Sequence, residues 1–461
     1  MATDKKKTRF LTFTAFCSGM TIMAIEMTAS RLMAPYFGTS VFVWTNLLGI
    51  IMAALSIGYW FGGKLADRYP NQEYLYKLLL LVSFMLLALS VVAPAIMSMI
   101  NLAVNNVNYA IVVNSFLGSL IVFGLPFTVL GMVSPTIIRL LSDEVEKSGE
   151  IAGRVYAAST VGSIIGTFLP TLVFVPLIGT KRTIILFAFI LLLISLIGLA
   201  RKRLLGLVLI FVATAVFLPT GYATDSQVLF EAETAYTYVK VVEDEKFGVI
   251  LQQDEGVAIH SYYHPDKLLM GSYWDYVLIA PFFQANKSNQ VIAAIGAAGG
   301  TSFRIWQECL GEIFDFIFIG AEIDPVVTRL AYEYFGMDQY PNVEMVVQDG
   351  RMFLKQAEDN SFDIVFLDAY HQMYMPQHLT SLEFFQLAEK KLTKDGLLMA
   401  NMISIHQGTD IYQRFVRTLQ EVFDQVWVIK SGEHNYNYLV FATNADHDLQ
   451  DAVGLIPEEY A

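Results

Sequence analysis

The chain has 461 residues, of which 55% are hydrophobic and 16% are charged, and its formal net charge is -13. This length allows two or three domains. The acidic balance argues against a nucleic-acid partner, which would need clustered Lys and Arg. The chain has only two cysteines, Cys17 and Cys309, so no disulfide framework is expected.

Long apolar runs fill the first half, whereas most Asp and Glu follow residue 225. A transmembrane helix needs about 20 apolar residues. Residues 1–224 are therefore predicted to form an α-helical polytopic membrane domain, and the lipid bilayer is an expected partner. About seven helices are predicted, near residues 10–32, 41–65, 75–100, 109–141, 153–178, 183–200 and 204–221.

Two features refine this prediction. Pro126 and Pro135 are expected to kink or break the long fourth segment. The basic start, MATDKKKTRF, resembles a signal peptide. No small-residue cleavage site precedes the next apolar segment, however, so the first span is expected to stay uncleaved.

The placement of Lys and Arg predicts orientation in a cell (inner) membrane. With the N-terminus inside, the outer loops carry little beyond Lys181 and Arg182. The inner loops carry many more, at Lys5, Lys6, Lys7, Lys64, Arg68, Arg139, Lys147, Arg154, Arg201, Lys202 and Arg203. This bias supports an N-inside orientation. Seven spans would then place the C-terminal half outside, unless segment 204–221 does not cross or the fourth segment crosses twice.

Two ionisable residues, Glu26 and Arg31, lie on or near the first predicted helix. A charge at membrane depth is costly, so such residues are functional candidates. The alternatives are an internal ion pair, or an Arg31 side chain that extends to the interface.

After residue 225 the pattern changes. Segments 231–244 and 247–263 alternate apolar and polar residues, which predicts short strands in a small β subdomain over residues 225–288. From residue 289, strand-like apolar runs alternate with helical stretches. That alternation predicts βαβ units and a parallel sheet, in a Rossmann-like α/β domain over residues 289–461.

Glycines or acidic residues follow each of four predicted strands: Gly296, Gly299 and Gly300, then Glu322, then Asp349 with Gly350, and last Asp368. Ligands of open α/β sheets bind at the carboxyl ends of the strands. Glycines there permit a tight turn close to the ligand, and Glu322 is spaced to accept hydrogen bonds from ribose hydroxyls. Helix caps would explain any one of these residues but not the ordered set, which predicts a nucleoside site.

Residues from about 228 to 430 resemble the spermidine synthase family, whose members pair a small β subdomain with a Rossmann-like methyltransferase-type fold. The resemblance rests on four stretches: IGAAGG before AEID, the Asp349-Gly350 pair, LDAYHQMYMPQHLTSLEFF, and YWDYVLIAPFF with Tyr273, Asp275 and Pro281. The first half, with SGMTIMAIEMTASRLMAPYFGTSVFVWT and GYWFGGKLADR, resembles the membrane portion of fused spermidine-synthase-like proteins.

The resemblance implies an aminopropyltransferase-like enzyme of polyamine biosynthesis that acts on small molecules, and a possible homodimer. Its co-substrate would be S-adenosylmethionine or the decarboxylated form, with no metal and no tightly bound cofactor. Glu322 would hold the ribose and Asp349 the adenine amino group. Asp368 would act as general base for an attacking amine, assisted by a hydrogen bond from Tyr273.

The sequence also departs from the family pattern. Gly299 stands where the family has an Asp for the donor's amino group, and His371 replaces an acidic residue. Trp274 and Thr237 replace polar residues, and together with Asp275 and His371 they are the candidate substrate-binding residues. Fewer carboxylates should weaken polyamine binding. Without the loop Asp, intact S-adenosylmethionine is also a candidate ligand.

Two alternatives remain open. In the first, the pocket consumes intact S-adenosylmethionine by alkyl transfer, elimination or cyclisation. In the second, the membrane half is a carrier and the other half is a catalytically silent nucleoside sensor, as Glu26 and the missing amine ligands suggest. The histidines, including His260 and His378, lack metal-ligand spacing and are interpreted as polar pocket or surface residues.

Overall fold

The computed structural model describes residues 2–38, 40–103, 110–142, 148–200, 206–218, 221, 227–253, 258–370, 375–404, 406–432 and 436–460. They form two compact units. The first comprises Met1–Thr224 and Glu231–Tyr238, and the second comprises Asp225–Phe230 and Val239–Ala461. The segment Glu231–Tyr238, expected in the β subdomain, therefore groups with the helical unit.

The first unit is built from helices: α1 (Ala2–Phe37), α2 (Val41–Arg68), α3 (Gln72–Ala103), α4 (Ala110–Gly131), α5 (Val133–Leu141), α6 (Ser148–Leu169), α7 (Val175–Ile178), α8 (Thr180–Leu199) and α9 (Gly206–Phe217). A π-helical turn, Pro170–Phe174, connects α6 to α7. Each of the seven predicted apolar segments therefore contains helix in its described residues.

Six helical segments in the described residues are long and apolar enough to cross a membrane. They are Lys5–Phe37, Val41–Arg68, Gln72–Ala103, Val112–Leu141, Ser148–Ile178 and Thr180–Leu199. The seventh predicted segment is described as the 12-residue helix α9. At 1.5 Å per residue, α9 spans about 18 Å of a hydrocarbon core that is about 30 Å thick. The expected count of about seven is therefore corrected to six among the described residues.

The fourth predicted segment is interrupted near its proline residues, as expected. The break lies at Met132, between α4 and α5, while Pro126 lies inside α4. Pro135 is in the first turn of α5, and it has no N–H to donate to the carbonyl of Gly131 four residues earlier. The interrupted segment still counts as one span.

Glycines bring the backbones of α1 and α6 together. A Cβ atom at Gly162 would lie 2.0 Å from the carbonyl oxygen of Phe16, and one at Gly166 would lie 2.1 Å from that of Met20. A Cβ at Gly19, on α1, would lie 2.2 Å from the Ser159 carbonyl oxygen. Small residues at such contacts allow transmembrane helices to approach closely.

Arg31 is held by main-chain groups within the first unit. Its Nη1 donates to the carbonyl of Thr234 at 2.8 Å, and its Nη2 donates to the carbonyl of Ala235 at 3.0 Å. Glu26 is half-buried on the same helix.

The second unit contains most of two sheets. The smaller has the order β1 (Val228–Glu233), β2 (Tyr238–Asp244), β3 (Gly248–Gln253) and β4 (Ile259–Tyr263). Strands β2, β3 and β4 pair antiparallel. A 3₁₀-helical segment, Tyr273–Gln284, follows and places its aromatic side chains in the core of this unit.

The larger sheet has seven strands: β5 (Asn289–Ile295), β6 (Asp315–Glu322), β7 (Val343–Val347), β8 (Phe362–Leu367), β9 (Leu392–Ile403), β10 (Gln425–Lys430) and β11 (Asn437–Thr443). Its helices are α10 (Thr301–Leu310), α11 (Pro325–Tyr334), α12 (Gly350–Gln356), α13 (Leu382–Lys391), α14 (Asp410–Gln420) and α15 (Leu449–Gly454). The strand order is β10-β11-β9-β8-β5-β6-β7.

The predicted parallel sheet is confirmed for five strands, β9-β8-β5-β6-β7. Strands β10 and β11 complete it as an antiparallel edge. From β5 the chain continues to β6 and β7 on one side, and then returns to β8 on the other. The crevice outside the carboxyl ends of β5 and β8 is thus the topological switch point, where ligands of such sheets bind.

Candidate active site

A pocket of about 230 Å³ opens at this switch point. Gly296, Ala297 and Ala298 from the loop after β5 line it, and Asp368 lines it from the loop after β8. The other polar lining residues are His260, Ser261, Tyr273, Thr301, Ser302, Tyr370, Asn401 and Asn437. The two residues predicted to be catalytic, Asp368 and Tyr273, therefore line one pocket.

The Asp368 carboxylate is held on both oxygens. The Tyr273 hydroxyl donates to Oδ2 at 2.8 Å, and Asn401 Nδ2 donates to Oδ1 at 2.8 Å. Burial raises the pKa of Asp368 to about 7, although both donors act to lower it. The pKa of Tyr273 is raised well above its ordinary value by burial and by the Asp368 charge. The pair is thus a titrating carboxylate beside a phenol that stays protonated.

Asn401 and Asn437 extend this hydrogen-bonded group, and neither residue is predicted from the sequence. Asn437 Nδ2 donates to Asn401 Oδ1 at 2.9 Å. The Tyr370 hydroxyl donates to the Asn401 carbonyl at 2.9 Å and accepts from the N–H of Ile403 at 2.8 Å. One N–H of the Asn401 amide is thus donated to Asp368, and this contact orients the Asp368 carboxylate.

The glycine-rich loop has the conformation that its sequence predicts. Gly296 and Gly300 have φ angles of 84° and 81°, which favour glycine. A Cβ at Gly296 would also lie 2.5 Å from Cα of Ala369, in the loop after β8. The two loops at the switch point are therefore in backbone contact. Gly299 lies in the same loop, and its N–H donates to the Ser261 hydroxyl at 2.7 Å.

Glu322 ends β6 beside this loop. Its carboxylate accepts hydrogen bonds from the N–H groups of Ala298 at 3.2 Å and Asp324 at 3.1 Å. The side chain is 8% exposed. Burial raises its pKa to about 7, although the backbone donors lower it. A buried carboxylate here has acceptor capacity left for ligand hydroxyls.

Asp349 follows β7 and has two contacts. It caps α12 by accepting from the N–H of Met352 at 3.0 Å, and its other oxygen lies 3.0 Å from Nε2 of His378. Gly350 begins α12, and a Cβ there would lie 2.1 Å from Ile295 Cγ2. Neither residue lines the pocket described above, so their assignment to the adenine stays a prediction.

The four predicted substrate-binding residues have different environments. Trp274 lines the pocket, with its ring centroid 4.3 Å from that of Tyr273. The Asp275 carboxylate accepts from backbone N–H groups, including that of Gly271 at 2.6 Å, and stabilises the turn before Tyr273. Thr237 is buried in the first unit, and its N–H donates to the Thr234 hydroxyl at 3.0 Å. His371 lies outside the described residues.

Comparisons with known proteins find relatives of the C-terminal half of this chain. The spermine/spermidine synthase domain family matches residues 309–439. A probable polyamine aminopropyl transferase of Bifidobacterium longum is 31% identical over 236 residues, which cover 50% of this chain and 51% of that protein. A polyamine aminopropyltransferase of Vibrio vulnificus is 26% identical over 242 residues, which cover 51% of this chain and 78% of that protein.

Among solved structures, a probable spermidine synthase from Corynebacterium glutamicum aligns with a TM-score of 0.42 and 21% identity, over 48% of this chain and 81% of that chain. The alignment with the Bifidobacterium protein spans about half of that relative's length. From the domain match and the curated relatives together, the C-terminal Rossmann-like domain of this chain is similar to proteins of the spermidine synthase family.

Proposed function

We propose that the second unit transfers an alkyl group from the sulfonium of an S-adenosyl nucleoside to an amine, as an aminopropyltransferase does. The observation that carries the proposal is the Asp368–Tyr273 pair in a pocket at the topological switch point. The similarity to polyamine aminopropyltransferases supports the same reaction class.

In this reaction an ammonium must lose a proton before its nitrogen can attack. Asp368 takes that proton, and a pKa of about 7 matches the task because a general base works best near the operating pH. The nitrogen lone pair then forms a bond to the carbon next to the sulfonium. The carbon–sulfur bond breaks, its electron pair goes to sulfur, and a neutral thioether nucleoside leaves. Because sulfonium is a good leaving group, alignment supplies most of the rate.

The nucleoside is assigned to the edge formed by the loops after β5, β6 and β7. The buried Glu322 carboxylate next to Ala298 suits the ribose hydroxyls. Asp349, with its side chain partly exposed beside His378, is the candidate for the adenine amino group. With the nucleoside bound in this order, the sulfonium would lie towards the pocket that Asp368 lines.

The proposal also includes membrane anchoring by the six long apolar helices. Six crossings, the number found among the described residues, would place both ends of the helical unit on one side of the membrane. The Lys and Arg bias supports the inside as that side, where S-adenosyl nucleosides are made. This agrees with the alternative in which segment 204–221 does not cross.

The test of the reaction uses the full chain in lipid nanodiscs, with S-adenosylmethionine or its decarboxylated form and a panel of amines. Release of methylthioadenosine is followed by mass spectrometry. Asp368→Asn should abolish release and leave nucleoside binding nearly intact. Asp395→Asn, the same change at an exposed aspartate of β9, should retain full activity. Nucleoside binding without turnover of either donor would instead favour the silent-sensor alternative.

The side of the membrane is tested separately. Lys394 is exposed on β9, whereas both native cysteines are buried. A membrane-impermeant maleimide should label Lys394→Cys in inside-out vesicles but not in intact spheroplasts. The unsubstituted chain is the control for labelling of Cys17 and Cys309. Labelling in intact spheroplasts would place the domain outside.

A further inference from the structure

The loop after β5 leaves no space for an acidic side chain at Gly299. A Cβ there would lie 2.7 Å from Ser261 Cβ and 2.9 Å from Phe335 Cγ. Ser261 is 1% exposed, lines the pocket, and accepts from the Gly299 N–H at 2.7 Å. Since that bond uses an oxygen lone pair, the Ser261 hydroxyl proton is still available to a ligand.

Ser302 provides a second hydroxyl on the same side of the pocket. Its side chain is 5% exposed and lines the pocket. Across the part of the chain that the structure describes, its hydroxyl has no hydrogen-bond partner. Because Ser302 lines the pocket, a hydroxyl without a protein partner is available there to donate a hydrogen bond to a ligand.

Ser302 is also the second residue of the ten-residue helix α10. The first N–H groups of a helix lack intrahelical acceptors, and the helix dipole is positive at this end. Asp368 is the one carboxylate among the described lining residues, and it belongs to the loop after β8. The α10 side of the pocket therefore presents hydrogen-bond donors and a positive dipole, and none of its described lining residues is acidic.

We propose that this group, Ser261, Ser302 and the first turn of α10, binds a carboxylate on the donor's tail, so that the preferred donor is intact S-adenosylmethionine. This inference rests on the proposed function and specifies its substrate. The amine nitrogen forms a bond to the carbon next to the sulfonium, and the carbon–sulfur bond breaks with its electron pair on sulfur. Asp368 takes the amine proton. The products are methylthioadenosine and an amine that carries a 3-amino-3-carboxypropyl group.

The experiment compares binding of the two donors to the full chain in nanodiscs, by calorimetry and without an acceptor. Leaving out the acceptor ensures that any carboxylate detected belongs to the donor. Charge-assisted hydrogen bonds from two hydroxyls should make intact S-adenosylmethionine bind at least about tenfold more tightly. Ser302→Ala should reduce that ratio.

A matched pair of variants tests the charge directly. Ser302→Asp places a carboxylate in the subsite and should reverse the preference towards the decarboxylated donor. Ser302→Asn is similar in size but neutral, and should not reverse it. A wild-type preference for the decarboxylated donor, or an unchanged ratio in both Ser302→Ala and Ser302→Asp, overturns the inference.

The outcomes separate the inference from the function on which it rests. Turnover that prefers the decarboxylated donor would contradict only the carboxylate subsite. Tight, Ser302-dependent binding of intact S-adenosylmethionine without methylthioadenosine release would contradict only the proposed transfer. If neither donor binds, both proposals fail.

Discussion

The Tyr273 hydroxyl donates a 2.8 Å hydrogen bond to Asp368 Oδ2, across 95 residues of sequence. The partners come from different parts of the second unit, a 3₁₀-helical segment and the loop after the central strand β8. Burial works against ionisation of Asp368, whereas Tyr273 and Asn401 favour it, and the balance leaves its pKa at about 7. The contact thus sets the pH at which the carboxylate can act as a base.

The first prediction concerns the pH dependence of catalysis. Asp368 can take a proton only when ionised, so kcat/KM should rise with pH up to about 7 and level off above it. Below that pH the carboxyl is protonated, and kcat/KM should fall tenfold for each pH unit. The measurement is methylthioadenosine release from about pH 5 to about pH 9.

Tyr273→Phe is the matched variant for this profile. It keeps the ring and removes the hydroxyl that stabilises the Asp368 anion. The acid limb should therefore move to higher pH, and the plateau rate should fall. If the limb stays in place in Tyr273→Phe, Asp368 is not the titrating group.

The second prediction treats Asn401 as a positioning residue. Asn401→Ala removes the donor to Asp368 Oδ1 and leaves the Asn437 amide without its acceptor. The Asp368 pKa should rise, which moves the acid limb of the pH profile to higher pH. The value of kcat should fall by roughly tenfold, because hydrogen bonds to charged groups contribute about 1.5–3 kcal/mol. Steady-state kinetics over pH should show little change in KM for the donor.

Asn444→Ala is the control for this variant. Asn444 is exposed just beyond β11 and contacts groups away from the pocket. It should leave the pH profile unchanged. Equal shifts in both variants would indicate a general loss of structure rather than a positioning role for Asn401.

The strand-end residues could be predicted from the sequence because each follows an apolar run that forms a buried strand. Parallel order then brings Gly296 and Asp368 to one edge of the sheet. Asn401 and Asn437 could not be predicted in the same way. They meet because β9 and β11 pair antiparallel, although the two residues are 36 positions apart in the sequence, and neither belongs to a recognisable motif.

Two further features could not be predicted from the sequence: the contacts of Asp275 and the length of the last apolar helix. Asp275 has the composition of an amine ligand, but its carboxylate is used by the N–H groups of the turn that precedes it in sequence. Hydropathy identified the last apolar segment of the helical unit, but not that its described helix, Gly206–Phe217, is short. Amino-acid composition predicts which contacts a side chain can make and which segments are apolar. The contacts that form and the residues where a helix ends depend on the folded backbone.

The third prediction concerns the nucleoside. The Glu322 carboxylate accepts hydrogen bonds from ribose hydroxyls best when it is ionised. Methylthioadenosine should therefore bind more tightly as the pH rises through about 7. Glu322→Gln keeps the shape and one acceptor but removes the charge. The affinity of this variant for methylthioadenosine should fall by about tenfold or more, because hydrogen bonds to the charged carboxylate contribute about 1.5–3 kcal/mol of binding free energy. The affinity should also no longer depend on pH. Calorimetry in an Asp368→Asn background removes the other titrating carboxylate, and an unchanged affinity would assign the ribose elsewhere.

The last prediction tests the helical unit through two glycines of α6. Gly162→Leu would force a side chain into the carbonyl of Phe16, because even a Cβ there lies 2.0 Å from that oxygen. Gly153→Leu adds the same side chain to the same helix, where a Cβ has no atom within 4 Å. Overpacking costs about 1–3 kcal/mol or more, so Gly162→Leu should melt at a lower temperature in detergent. Gly153→Leu should match the unsubstituted chain. Equal melting temperatures for the two variants would show that the packing of α1 against α6 does not depend on backbone contact at Gly162.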